Sequence, residues 1–296
     1  MKKILLFLIA VTIVMTFGSC HKEGKYSPSK KISKIYRESG YDGYFSGRYL
    51  SESWNWNKNQ LQSIYHHSSD GSISYTEDFT YTKGRISRVD CRYPSSSMSY
   101  YSEFTYDGGK LSRMAEYYNG QLESESSFTY KNGKISTVNR TYYYSYYDKS
   151  ETMPMVKSSF LSLIIPELSD KIIENLYHLS NKSKGGNTSS YSIEWNGDNI
   201  SKIKYSHGDE WGEIELTYDN KKNPFYGFLN SGFDEEFFSK NNITRETYTS
   251  YSEGEMYNYT DTYTYTYDGN WPISKRHQGD EYGTTYYETT YYEYVK

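Results

Sequence analysis

Cysteine, alanine and long apolar runs are what this sequence has least of, and each shortage removes a class of protein. There are two cysteines, Cys20 and Cys91. With Cys20 assigned to lipid attachment, as argued below, Cys91 has no internal partner and no disulfide framework holds the fold. Cys91 then reads as a small apolar strand residue. Alanine is almost absent while tyrosine supplies 38 of 296 residues, a balance that favours strands over helices. After Met15 no run is apolar enough to span a bilayer, which takes about 20 residues. Cationic excess is missing too. The formal net charge is −4, or −6 once Lys2 and Lys3 leave with a leader, so there is no basic footprint for nucleic acid.

The residue patterns of catalysis are equally scarce. His21, His66, His67, His178, His207 and His277 form no zinc-ligand motif. His66 and His67 are adjacent in a strand and read as surface residues on opposite faces. Asp107, Asp219 and Asp268 fall at turns, where Asp caps its own backbone. There is no phosphate-cradling Gly loop, nucleophile elbow or EF-hand calcium loop. The expectation is a non-enzymatic chain with no metal and no cofactor.

What is present begins with an address. Lys2 and Lys3 precede an apolar run from Ile4 to Met15, interrupted only by Thr12. That run fits a secretory signal peptide over residues 1–19. Gly18-Ser19-Cys20 resembles the lipobox of bacterial lipoproteins, with Phe17 where Leu is usual. The resemblance implies acylation of Cys20, membrane attachment through the N-terminal lipid, and an outer-membrane protein on the cell surface or the periplasmic face. Residues 20–30 are polar and read as a tether.

The rest, residues 31–296, reads as a single β-repeat domain with a period of about 24 or 25 residues. The clearest copies are Phe79 to Val89, Phe104 to Met114 and Phe128 to Val138. Earlier and later copies start at Trp54, Ile193, Leu216 and Tyr265, and Lys31 to Ile35 looks like the second half of one more. Each copy is a hairpin. Asn132-Gly133 is a strong type I′ turn signal, and Gly84 and Gly109 meet the same need for positive φ. Second turns fall midway, at Asp70-Gly71, Pro94-Ser95, Asn119-Gly120, Gly208-Asp209 and Gly254. Turns about every 12 residues imply on the order of 16 to 18 strands in sequential antiparallel order.

Such a sheet is too wide to stay flat, since open twisted sheets rarely exceed about 10 strands. The expected fold is all-β: a long antiparallel meander, curled or rolled, with one inserted helix near 158–181 on its concave side. Leu168, Ile172, Leu176 and Leu179 give that segment a helical stripe. A second short helix is expected over Asp234 to Lys240. Ile135 and Val138, three apart, fall on opposite faces of an ideal strand; either a bulge realigns them or both faces carry apolar cover, and the aromatic run at Tyr142-Tyr143-Tyr144 favours the second. A membrane-spanning barrel is disfavoured because its lipid-facing positions would have to be apolar.

Tyr106-Asp107-Gly108-Gly109-Lys110-Leu111-Ser112 resembles the tyrosine-aspartate repeats of the Rhs family, which roll a β-strip into a shell. The lipobox, the repeated Tyr-x-x-Gly-Lys-Ile-Ser units, Tyr218 to Phe225 and Phe238 to Ile243 together resemble Bacteroidetes lipoproteins that carry a domain of unknown function. That resemblance implies an envelope lipoprotein and brings no catalytic residue.

The functional expectation is a non-catalytic envelope lipoprotein binding a glycan or an envelope protein through an aromatic-rich sheet surface. Trp54, Trp56 and Trp195 align with repeat positions and read as sheet-face residues. Trp211 lies outside the repeat core in a polar stretch, so it is the candidate ligand contact, with a cap on the sheet edge as its other role. The alternatives are a structural or adhesive surface protein, and a carbohydrate-active enzyme.

Overall fold

The computed structural model describes residues 23–143 and 187–296, apart from 42, 43, 46, 95, 98, 209, 231–234, 253, 282 and 283. Cys20, the signal segment and the helix expected near 158–181 lie outside the described residues. The elements run β1 (Ile32–Tyr41), a two-residue β2 (Tyr44–Phe45), β3 (Tyr49–Asn57), β4 (Gln60–His67), β5 (Ile73–Thr82), β6 (Arg85–Arg92), β7 (Ser99–Asp107), β8 (Lys110–Tyr118), β9 (Gln121–Lys131) and β10 (Lys134–Tyr142). They continue as β11 (Asn187–Asn196), β12 (Asn199–His207), β13 (Glu210–Tyr218), the one-turn helix α1 (Glu235–Phe238), β14 (Ile243–Ser252), β15 (Glu255–Asp268), β16 (Trp271–Glu281) and β17 (Thr284–Tyr294).

The sixteen long strands form one closed antiparallel barrel, which corrects the expectation of a curled, open meander. Closure comes from β1, which pairs with β17 on one side and β3 on the other. The reason lies in the repeat. Lys31-Ile32-Ser33 is the second half of a unit, and Tyr292-Glu293-Tyr294 supplies its first half. Ile32 faces Tyr294 and Lys34 faces Glu293, the register that Ile135 and Thr137 make with Tyr130 and Thr129 within one hairpin. An open sheet would leave two long rows of unpaired amides; here those rows complete each other.

Each unit contains a bulge in the same place. Thr129 faces Thr137 while Tyr130 faces Ile135, so Ser136 is the extra residue. Ser87, Ser112 and Ser201 are the extra residues of their own hairpins. A bulge shifts the side-chain alternation by one, so Ile135 and Val138 both point inward and both are buried. This corrects the expectation of apolar cover on both faces. The Ser hydroxyl donates to the carbonyl across the hairpin, Ser112 Oγ to Thr105 O at 3.0 Å and Ser136 Oγ to Thr129 O at 3.3 Å. That is the physical content of the Ile-Ser signature.

The aromatic at the third position of each unit also points inward and stitches it to the preceding one. Tyr81 donates to Leu61 O, Tyr106 to Ile86 O, Tyr130 to Leu111 O, Trp195 to Ile135 O, and Trp56 to Ile32 O across the closure, all at 2.6–2.9 Å. The cation after each turn covers the ring of the next unit: Arg85 over Tyr106, Lys110 over Tyr130, Lys134 over Trp195. An aromatic girdle capped by cations therefore encircles one end of the barrel, the end of the two-residue turns.

That end is sealed. Residues 219–242, inserted between β13 and β14, carry Phe225, Phe228 and Phe237 into the barrel, where Phe228 meets Tyr26, Trp54, Phe79 and Phe237 at 4.8–5.7 Å between ring centres. The expected short helix is present here as α1. The N-terminal strap closes the other side: Ile86 N donates to Gly24 O and Leu111 N to Glu23 Oε2, both at 2.8 Å. The tyrosine excess thus mainly lines and seals an interior.

The outer wall is mostly polar, with half-buried tyrosines among the charges, such as the stacked Tyr101–Tyr117 pair and Tyr36 and Tyr291 beside Arg48. Its ladder positions carry Thr and Ser with ion pairs such as Arg88–Glu103, Arg113–Glu125, Lys202–Glu213 and Lys204–Glu194. Arg or Lys facing lipid at the bilayer midplane costs about 2–4 kcal/mol each. The wall is therefore built to face water rather than hydrocarbon.

Candidate functional site

Two features depart from the repeat, one inside the barrel and one outside. Inside, the position after the bulge is aliphatic in six units: Ile35, Ile64, Val89, Met114, Val138 and Ile203. In the last two it is Glu246 and Lys275. Lys275 Nζ reaches Glu236 of α1 at 3.0 Å, so a half-buried ion pair fixes where the insertion docks. Burial opposes charge on Lys275, but Glu236 more than offsets it and holds the ammonium well above its ordinary pKa. Glu246 accepts from Tyr263 OH at 3.2 Å. Burial pushes its carboxyl up to about 7, with Lys275 opposing and Asp261 adding to the rise.

Beyond the apolar layer the inward side chains are polar and mostly matched. Arg140 pairs with Glu116, which also accepts from Ser124. Arg37 lies 3.5 Å from both Glu52 and Glu288. His277 meets Asp261 at 2.9 Å. His66 points inward, stacked on Tyr75 at 4.0 Å and 3.4 Å from Glu77, which corrects its reading as a surface residue. Burial disfavours its charge, yet the Glu77 hydrogen bond and carboxylate lift its pKa above the ordinary value. Cys91 is buried beside Tyr100 and Tyr118. Among the described residues no cluster of three His, Cys, Asp or Glu is placed to hold a metal ion.

Outside, Trp211 is the feature that sequence singled out. It lies in β13 near the rim opposite the sealed end. Its neighbour Gly212 faces inward against the Tyr205 ring, so Trp211 faces out. It is 41% exposed and stacks on Tyr251 of β14 at 6.2 Å and 13°. Tyr251 is cross-strand partner to Met256 of β15, and both are exposed. Three strands thus present an exposed Trp-Tyr-Met row on a wall whose other rings, Tyr36, Tyr101, Tyr117 and Tyr291 among them, are half-buried. Tyr251 and Met256 carry no signal in the sequence, because only the pairing of β13, β14 and β15 brings them beside Trp211. Trp54, Trp56 and Trp195 are interior residues. Glu246 and Lys275 were legible in principle, as breaks in the repeat.

No protein-family model and no curated protein matches the chain. Among solved structures it is similar to a porin-like protein from Bacteroides uniformis, at 12% sequence identity and a TM-score of 0.50, covering 89% of this chain and 98% of that one. A porin-like protein from Bacteroides vulgatus matches at 8% identity and a TM-score of 0.38, covering 90% and 99%. The first likeness is one of fold: a closed antiparallel barrel.

Proposed function

We propose that this chain is a non-catalytic outer-membrane lipoprotein, anchored through Cys20, whose barrel stands in water as a binding module for a glycan or an envelope protein. The observation that carries the reading is the exposed Trp211–Tyr251–Met256 row on a mostly polar, ion-paired wall. Aromatic rings supply rigid contact area at low entropic cost, and a contiguous exposed apolar patch, unlike scattered single residues, marks an interaction site. The matched interior charges and the sealed end speak for a scaffold rather than a reaction chamber.

The test has two arms. Replacing Cys20 with Ala releases the protein from membranes if acylation holds it there; unchanged membrane fractionation refutes the anchor. A glycan array and a panel of envelope proteins, probed with the folded barrel, then examine the row. Trp211→Ala is expected to leave the melting temperature nearly unchanged and to weaken capture. The structural or adhesive reading is favoured by the packed interior, and it replaces the binding reading if no saturable ligand is found.

A further inference from the structure

The sealed end carries a second surface, made of charge. Lysine is the commonest charged residue in its turns and at their flanks. Lys58, Lys83, Lys131 and Lys222 are exposed there and have no carboxylate partner among the described residues. The acids of the same end are largely engaged: Asp198 with Lys240, Asp268 with Lys30, Asp219 with Asn242 and Tyr267, and Glu236 with Lys275. Glu23 is buried, accepting from Leu111 N and Tyr130 OH, and among the described turn residues Asp107 is exposed. Among the described residues of the opposite rim, Asp70, Glu210 and Glu255 lie near the loops, so these charges and the lysines form a dipole along the barrel axis.

The chain path gives that dipole a direction. Glu23 and Gly24 are fixed in the sealed end, where Arg85 donates to Glu23 O. Glu23 is only three positions from Cys20, a reach of at most about 11 Å when fully extended. An acyl group on Cys20 must therefore hold the lysine-bearing end against the bilayer, with the Trp211 rim pointing away. We propose that the sealed end is a membrane-docking face whose lysines bind the phosphates of an anionic lipid surface. This rests on the anchoring reading for its direction, but not for the lysine–phosphate contact.

The experiment uses the mature chain carrying Cys20→Ala, so that any binding is independent of acylation. It is mixed with vesicles of phosphatidylcholine alone or of phosphatidylcholine with phosphatidylglycerol, and sedimentation is followed against salt. Binding is expected only to the anionic vesicles and should weaken as salt screens it. Each of Lys58→Gln, Lys83→Gln, Lys131→Gln and Lys222→Gln should lower affinity about five-fold, the equivalent of about 1 kcal/mol per lysine at the surface. Glu255→Gln at the far rim should not lower it. Equal binding to both vesicles, no binding, or indifference to the four substitutions overturns the lysine–phosphate contact.

Orientation is read separately in acylated protein on vesicles, with an environment-sensitive thiol dye at Lys83→Cys or Glu255→Cys; Cys91 is buried and left in place. The dye at residue 83 should report the bilayer and the dye at 255 should report water. The reverse pattern, or equal signals, overturns the orientation. Failure of the anchor shows instead as unchanged membrane fractionation of the Cys20→Ala protein in cells after a high-salt wash that removes lysine–phosphate binding, and leaves the vesicle result standing on its own.

Discussion

Replacing Phe228 with alanine tests whether the insertion is part of the core or merely lies on it. Phe228 is 3% exposed, and its ring meets one residue of the N-terminal strap, two of the wall and one of α1. It belongs to no strand, so its loss removes packing without touching the ladder. A buried Phe→Ala change costs about 3–5 kcal/mol in lost transfer energy and cavity. In a domain of this size each kcal/mol lowers the melting temperature by about 2 °C or more, so a fall of about 6–10 °C is expected. The assay is thermal melting by near-ultraviolet circular dichroism, with hydrogen exchange to locate the loss. Exchange should rise first in 219–242 and in the strap at 23–31, because Tyr26 donates to Pro224 O and leans on the same ring. Phe228→Leu should recover most of the loss. A melting temperature within about 1 °C of the parent, with exchange unchanged in both segments, would refute the claim that this ring joins strap, wall and insertion.

Deleting Ser112 should prevent folding, whereas Ser112→Gly should cost no more than about 1 kcal/mol. The deletion removes the bulge and turns Met114 outward; a deletion protein that melts cooperatively near the parent would contradict the register. Glu246→Gln should change the pH dependence of stability. The Glu246 pKa is raised to about 7 in the folded state, so its contribution is fully present below the unfolded carboxylate value and is lost as pH rises through 7. The parent should therefore weaken between about pH 4.5 and 7.5 relative to the variant, by on the order of 2–3 kcal/mol. Parallel denaturation midpoints for parent and variant across that window would refute the assignment.

Much of the repeat chemistry was legible in the residues. Glycine and Asn-Gly marked the turns, Asn132 and Gly133 both adopt positive φ, and alternation placed Phe128 and Tyr130 on one face. The bulge was visible as an alternative because Ile135 and Val138 are three apart. Local sequence could not choose it, since the choice depends on which face is buried, and that depends on closure. The same ignorance made His66 look like a surface residue and the tyrosines look like a binding face. The candidate row was legible only as Trp211.

The sequence by itself determined the unit: a hairpin whose aromatic, cation, aliphatic and serine positions each have one local job. It even contained the closing half-unit at Lys31 to Ile35. Only the tertiary structure decided that this half-unit pairs with Tyr292 to Tyr294, because that contact joins residues about 260 positions apart, and no local signal favours a pairing whose loop-closure entropy grows with separation. Once β1 and β17 pair, inside and outside are defined. Glu246 then becomes a buried acid, Lys275 seats the insertion through Glu236, and the lysines gather at one end of a sealed barrel.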